Sequence, residues 1–225
     1  MRHYEVRDIM TADPVAVTPA TPIKDLADFL VTRRIGALPV VTPLGRVAGV
    51  VTEADLLRKE QIRRDPDGQQ WRHLSYRDRR AIATAETAGE LMSTHPVTVR
   101  PTATTAEAAR LMDRHQARCL LVVDESGKLL GVVSPRDLLR IFLRPDEEIK
   151  AEIIRDVLSG YLGTNPAPVR VDVTDGVARL TGEVERKSVL ESLLPAVRSV
   201  DGVIDVEGQL RYAFDDTIQM PRPVT

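Results

Sequence analysis

The chain has 225 residues, is 43% hydrophobic and 28% charged, and carries a formal net charge of −2. That length allows one to three domains with packed cores, and a near-neutral balance argues against general affinity for nucleic acid or anionic membranes. A single cysteine excludes an internal disulfide, the opening MRHYEVRDIM lacks the apolar segment of a secretory leader, and no apolar run approaches a bilayer-spanning length.

A soluble, cytoplasmic protein is therefore expected. Aromatic residues make up only 4% of the chain, so its cores must be built from Val, Leu, Ile and Ala.

In chain order, Val15 and Val17 alternate as a short strand ahead of Pro19. Thr21-Pro22 opens a helix, because proline in a first turn gives up no helical hydrogen bond. Ile23, Leu26, Ala27, Leu30 and Ile35 trace one apolar face of that helix. Leu38 to Val41 reads as a strand, Thr42-Pro43-Leu44-Gly45 as a turn, Val47 to Val51 as a second strand, and a helix begins at Glu53.

Residues 58–86 are polar, more basic than acidic, and hold the only Trp; they read as a solvated linker of two short helices broken at Asp65-Pro66-Asp67-Gly68. The chain then repeats itself. Adding 82 carries Met10 onto Met92, Pro14 onto Pro96, Gly45 onto Gly127, Gly49 onto Gly131 and Asp55-Leu56-Leu57 onto Asp137-Leu138-Leu139. Such an ungapped offset marks a duplicated structural unit. The second copy runs over 87–143, with its long helix near Thr105 to Gln116.

After Arg144-Pro145-Asp146 the character changes. Ile149, Ile153, Ile154, Val157 and Leu158 make an amphipathic helix; Val169, Val171 and Val173 alternate as a strand; and Asp175-Gly176 turns into a return strand over Val177 to Val184. A helix from Arg186 to Val200 comes next, with a kink or break at Pro195, then a last strand through Ile204, Val206 and Leu210. The order is αββαβ over 149–213, with a flexible tail at 214–225.

Thr52-Glu-Ala-Asp55 and Ser134-Pro-Arg-Asp137 each stand where a strand gives way to a helix. A hydroxyl at the N-cap with a carboxylate three residues on is a capping box, and capping alone accounts for both. The same geometry also suits a nucleotide. A helix N-terminus attracts phosphate, an acidic residue can accept both hydroxyls of a ribose, and Arg136 can bond phosphate.

The doubled pattern resembles a pair of CBS domains, together a Bateman module. The residues that carry the resemblance are Val6-Arg-Asp-Ile-Met10-Thr, Gly36-Ala-Leu-Pro-Val40-Val, Gly45, Gly49-Val-Val and Thr52-x-x-Asp55. In the second copy they are Gly89-Glu-Leu-Met92-Ser and Ser134-x-x-Asp137. The resemblance implies an α/β (α+β) fold of two βαββα repeats, at 1–57 and 87–143, related by a pseudo-twofold axis with clefts between them. It further implies an adenine nucleotide (AMP, ADP or ATP) or S-adenosylmethionine as a loosely held ligand, and a homodimer.

By position, Thr52, Asp55, Ser134 and Asp137 would hold ribose and phosphates, with Arg136 as a phosphate partner. Ile35, Gly36 and Ala37 in the first copy, and Arg118 and Cys119 in the second, would line the adenine. Glu53 and Ala54 replace Pro135 and Arg136 in the first copy, and Leu121 replaces the proline found at position 39. The cleft of Ser134, Arg136 and Asp137 is therefore expected to be the better nucleotide site.

The last unit resembles a BON domain through Val169-x-Val-x-Val173, Asp175-Gly176-Val177, Leu180-Thr-Gly182-x-Val184 and Val200-Asp-Gly202-Val203. That resemblance implies attachment to a protein partner or a phospholipid surface.

No catalytic residue or metal site is expected. His3, His73, His95 and His115 are scattered, and no P-loop, G-x-S-x-G or G-x-G-x-x-G is present. The sequence thus favours a non-enzymatic sensor. Its rivals are a constitutive dimeric scaffold whose motifs only cap helices, and a nucleic-acid binder using the basic linker, which the net charge opposes.

Overall fold

Each copy of the duplicated segment folds into the same series of short elements in a computed structural model, which describes residues 4–162 and 169–217. The first copy comprises α1 (Val6–Ile9), β1 (Thr11–Ala12), α2 (Ile23–Arg33), β2 (Ala37–Val41), β3 (Val47–Thr52) and α3 (Glu53–Arg64). After a 3₁₀ turn at Gln69–Trp71 and helix α4 (Tyr76–Thr84), the second copy supplies α5 (Ala88–Leu91), β4 (Thr98–Val99), α6 (Thr105–His115), β5 (Leu120–Val123), β6 (Leu129–Val133) and α7 (Pro135–Leu139).

The local causes repeat as well. Leu26 and Leu30 of α2 are buried, as are Ala108 and Met112 of α6, and the two helices end on left-handed residues, Arg34 (φ 53°) and Gln116 (φ 49°). The hairpins β2–β3 and β5–β6 are antiparallel and turn at Gly45 (φ 77°) and Gly127 (φ 80°), a conformation that costs glycine little.

Each copy completes the other. β1 pairs with β6, in the register Thr11 to Val132, and the equivalent Ser93 bridges Val50 of β3. The Val6 N–H donates to the Ala103 carbonyl at 2.8 Å, mirrored by the Ala88 N–H to the Thr21 carbonyl at 2.8 Å. Arg46 bridges its own counterpart Lys128, which puts the pseudo-twofold axis at that contact.

The crossing strands come so close that only glycine fits beneath them. A Cβ on Gly49 would lie 2.6 Å from the Met92 sulfur and 2.7 Å from the Ser93 carbonyl; one on Gly131 would lie 2.7 Å from the Met10 sulfur and 2.9 Å from the Thr11 carbonyl.

The segment between the copies is more ordered than a solvated linker. The chain does break after Arg64, but Ile62 is fully buried, Trp71 is 8% exposed, and the Lys59 ammonium donates to the Ala83 carbonyl at 2.7 Å, tying α3 to α4. An indole and an isoleucine of this charged stretch are thus taken out of water, as a solvated linker would not do.

The chain divides into two compact units, one from Glu5 to Leu138 and one from Leu139 onward that also takes in Tyr4. In the latter, α8 (Asp146–Glu152) continues through a π-helical turn at Ile153–Leu158 into α9 (Ser159–Leu162). β7 (Val169–Thr174) and β8 (Val177–Arg186) are antiparallel across Asp175 (φ 50°) and Gly176 (φ 75°), the two left-handed residues a type I′ turn demands. Helix α10 (Lys187–Arg198) then returns the chain so that β9 (Asp205–Phe214) lies parallel to β8.

The core of this unit is aliphatic: Ile149, Ile153, Leu158, Val171, Leu180, Leu193 and Val197. A buried ion pair supports it. Arg144 bonds Glu152 at 2.8 Å with both side chains 9% exposed, and its guanidinium also donates to the Asp201 carbonyl and stacks over Tyr4.

Two expectations need correction. The helix is not broken at Pro195: it runs on to Arg198, with Leu193, Ala196 and Val197 buried on either side of the proline, so packing outweighs the one lost hydrogen bond. Nor does a tail begin at Phe214. β9 includes that residue, and Asp215 and Asp216 accept bonds from Lys187 (3.0 Å) and the Ser188 hydroxyl (2.6 Å). The remainder of the expected tail, 218–225, lies outside the described residues.

Candidate ligand cleft

The two boxes have matching geometry. In the first copy the Thr52 N–H and hydroxyl donate to Asp55 Oδ2 at 2.8 and 2.7 Å; in the second the Ser134 N–H and hydroxyl donate to Asp137 Oδ2 at 2.9 and 2.7 Å. Asp55 and Asp137 are 7% and 9% exposed, two of the few polar groups buried in the described chain. A carboxylate taken from water needs such donors, and here one oxygen of each is committed to its own helix cap.

Beside Asp55 lies a cleft of about 270 Å³, open to solvent on one side. One wall is α3, with Asp55 and Arg58; a second is the opening of the other copy, with Glu90, Leu91, Met92 and Ser93; the third is the linker helix α4, with Asp78, Ala81 and Ile82. Arg58 reaches Asp55 Oδ1 at 3.5 Å, one helical turn on.

None of the residues expected to line an adenine belongs to that wall. Ala37 pairs with Thr52 across β2 and β3, the Gly36 carbonyl accepts from the Glu53 N–H at 3.2 Å, and Ile35 packs on the first copy's core. In the second copy, Cys119 stands half-buried just before Leu120, which pairs with Val133, so Cys119 and Ser134 share one end of the sheet. Arg118 is exposed, as is Arg136 in the first turn of α7.

Burial pushes the Cys119 thiol up to about 11, which keeps it protonated at neutral pH and makes it a poor nucleophile. Among the described residues no three His, Cys, Asp or Glu side chains gather as a metal site would require. No helix among them is long and apolar enough to cross a membrane.

Sequence reasoning missed Arg58, Asp78 and Glu90. Arg58 carried a usable signal, its i+3 spacing from Asp55 on a helix; the contribution of α4 carried none, because nothing local says where a linker helix folds back.

Known proteins place this arrangement. CBS domain models match residues 6–61 and 88–144, and a BON domain model matches 145–213. The chain belongs to the CBS domain family. It is 30% identical to the CBS domain-containing protein YhcV of Bacillus subtilis, over 59% of this chain and 81% of that one. It is 31% identical to the chloroplastic CBS domain-containing protein CBSX2 of Arabidopsis thaliana, over 64% of this chain and 66% of that one. A homoserine O-acetyltransferase of Methanocorpusculum labreanum is 25% identical, but the match spans only 23% of its length.

Among solved structures, CBSX2 in complex with AMP aligns with a TM-score of 0.56 at 31% identity, covering 62% of this chain and 97% of that one. A CBS domain pair in complex with 5′-methylthioadenosine and S-adenosyl-L-methionine shares the fold, with a TM-score of 0.50 at 20% identity over 63% of this chain and 97% of that one.

Proposed function

We propose that this CBS–BON protein is a non-enzymatic regulatory sensor. It binds an adenine nucleotide or S-adenosylmethionine between its CBS repeats and relays occupancy to a partner of the BON domain. One observation carries the reading: a buried, hydrogen-bonded Asp55 on one repeat faces Leu91, Met92 and Ser93 of the other across a cavity. A ligand there would touch both repeats at once, so it would bind one arrangement of the pair better than another, and only such a difference shifts an equilibrium. The AMP complex of a relative 31% identical to this chain supports the ligand class.

The second cleft, with Ser134, Arg136 and Asp137, has the phosphate-binding cation that the first copy replaces by Ala54. We assign AMP, ADP or ATP to that cleft. The partner is a protein rather than an anionic lipid, because the solvent face of the BON sheet carries Asp172, Glu183, Glu185, Asp205 and Glu207 against Arg170, Arg179 and Arg211. A homodimer working in the cytoplasm completes the reading.

The test is calorimetric titration of the full chain with AMP, ADP, ATP and S-adenosylmethionine, with GMP as control. Micromolar binding of an adenine ligand that is lost in Asp137→Ala or Asp55→Ala is expected. Binding of none of them would reduce both boxes to helix caps, the scaffold reading that their internal hydrogen bonds already satisfy.

A further inference from the structure

We infer that the Asp55 cavity accepts adenosyl ligands whose 5′ end is neutral or cationic and rejects those that end in phosphate, with Asp78 and Glu90 as the residues that decide. This rests on the reading that an adenine ligand enters the cleft.

The cavity is lined by three carboxylates, Asp55, Asp78 and Glu90, against the one guanidinium of Arg58. Arg58, the one cation of the lining, lies 3.5 Å from Asp55, so the net charge of the lining stays negative. The first turn of α3, where a phosphate would otherwise find free N–H groups, itself carries Glu53 and Asp55.

Neither deciding carboxylate can swing aside freely. Asp78 Oδ2 accepts from the Ser75 hydroxyl at 2.6 Å, and Glu90 Oε2 accepts from the Glu86 and Thr87 N–H groups at 2.6 and 3.3 Å. Glu90 completes the capping box of α5 and Asp78 bonds Ser75, the N-cap residue of α4, so both carboxylates are held beside the cleft. Both carboxylates are exposed at the rim of the cleft, where a phosphate would meet like charge and a sulfonium or amine opposite charge, an effect that added salt should weaken.

The rest of the lining, Ala81, Ile82, Leu91 and Met92, is apolar and suits a base or a thioether. Asp78 comes from the linker helix, outside either repeat, so this selectivity belongs to what was inserted between the copies.

Calorimetry with adenosine, S-adenosylmethionine and AMP tests the assignment on three forms of the full chain: wild type, Asp55→Ala, and the pair Asp78→Asn with Glu90→Gln. The paired variant keeps an acceptor for the Ser75 hydroxyl and for the α5 cap while removing two charges. Glu90→Gln is also measured alone, since glutamine serves equally well in a capping box.

Adenosine and S-adenosylmethionine binding is expected to vanish in Asp55→Ala, with AMP affinity unchanged there. The charge-neutral pair should raise AMP affinity about tenfold or more relative to S-adenosylmethionine, with Glu90→Gln moving the ratio the same way. The inference is overturned if Asp55→Ala abolishes AMP binding and the neutral variants leave the AMP to S-adenosylmethionine ratio unchanged. If wild type binds no adenosyl compound, the sensor reading falls together with it.

Discussion

The two repeats differ less in themselves than in the chain each one leads into. Both boxes close with the same bonds to within 0.1 Å, and both are buried. In the first, the box opens a twelve-residue helix that α4 folds back upon, walling one side of a cleft. In the second it opens a five-residue helix that passes at once into the 3₁₀ turn at Arg140–Leu143 and the next unit. Duplication thus supplies two frames of equal quality, and the continuation of each chain gives its cleft an individual character. In such a protein, function should be sought where the copies diverge and stability where they agree.

The strongest check on the shared frame is at its closest contacts. Gly49→Ala and Gly131→Ala should each cost about 2–3 kcal/mol in chemical denaturation, because the new methyl meets a backbone carbonyl of the crossing strand that cannot simply rotate away. Equal losses would uphold the symmetry; a loss at only one would break it.

A milder effect is expected at Cys119, whose counterpart is Ala37. Cys119→Ala should change stability by less than about 1 kcal/mol, since the equivalent place already accepts alanine. In the native protein the thiol should react slowly with a disulfide reagent at neutral pH, as its raised pKa requires, and fast reaction would contradict its burial.

The smallest effect should appear in the first copy alone. Hydrogen bonds from Arg63 and Arg64 hold the Glu60 carboxyl down at about 2, and the equivalent position is Phe142. A depressed acid stabilises the fold above its unfolded pKa of about 4.3, and that contribution is lost as pH falls toward 2. The cluster is exposed, so salt should weaken the effect. Carboxyl titration followed by NMR should place Glu60 near 2 and return it toward the ordinary range in Arg63→Gln; an ordinary value in wild type would remove the interaction.

The duplicated architecture was legible because identical residues recur at one offset and each copy keeps helical or alternating periodicity. The exchange of β1 onto β6 was not, since a two-residue strand has no period and its partner stands at the other end of the module. Trp71 lay in a stretch so charged that composition implied solvent, yet its indole is buried. Pro195 was read by a local rule that tertiary packing overrode. At the cleft, Thr52, Asp55, Ser134 and Asp137 could be picked out as reciprocal caps, whereas Asp78 and Glu90 reach the cavity only through the return of the linker.

The exchanged strands also set an order on biosynthesis. Thr11 leaves the ribosome well before the edge it must join, at Gly131 and Val132, which is made only after nearly the whole second repeat. Until then the first repeat waits with an unpartnered segment and an uncovered sheet edge, and its own β3 has no Ser93 to bridge. Contacts this distant in sequence slow folding and leave surface open to wrong pairings in the interval. The symmetric pair can therefore be completed only once the second repeat has been made.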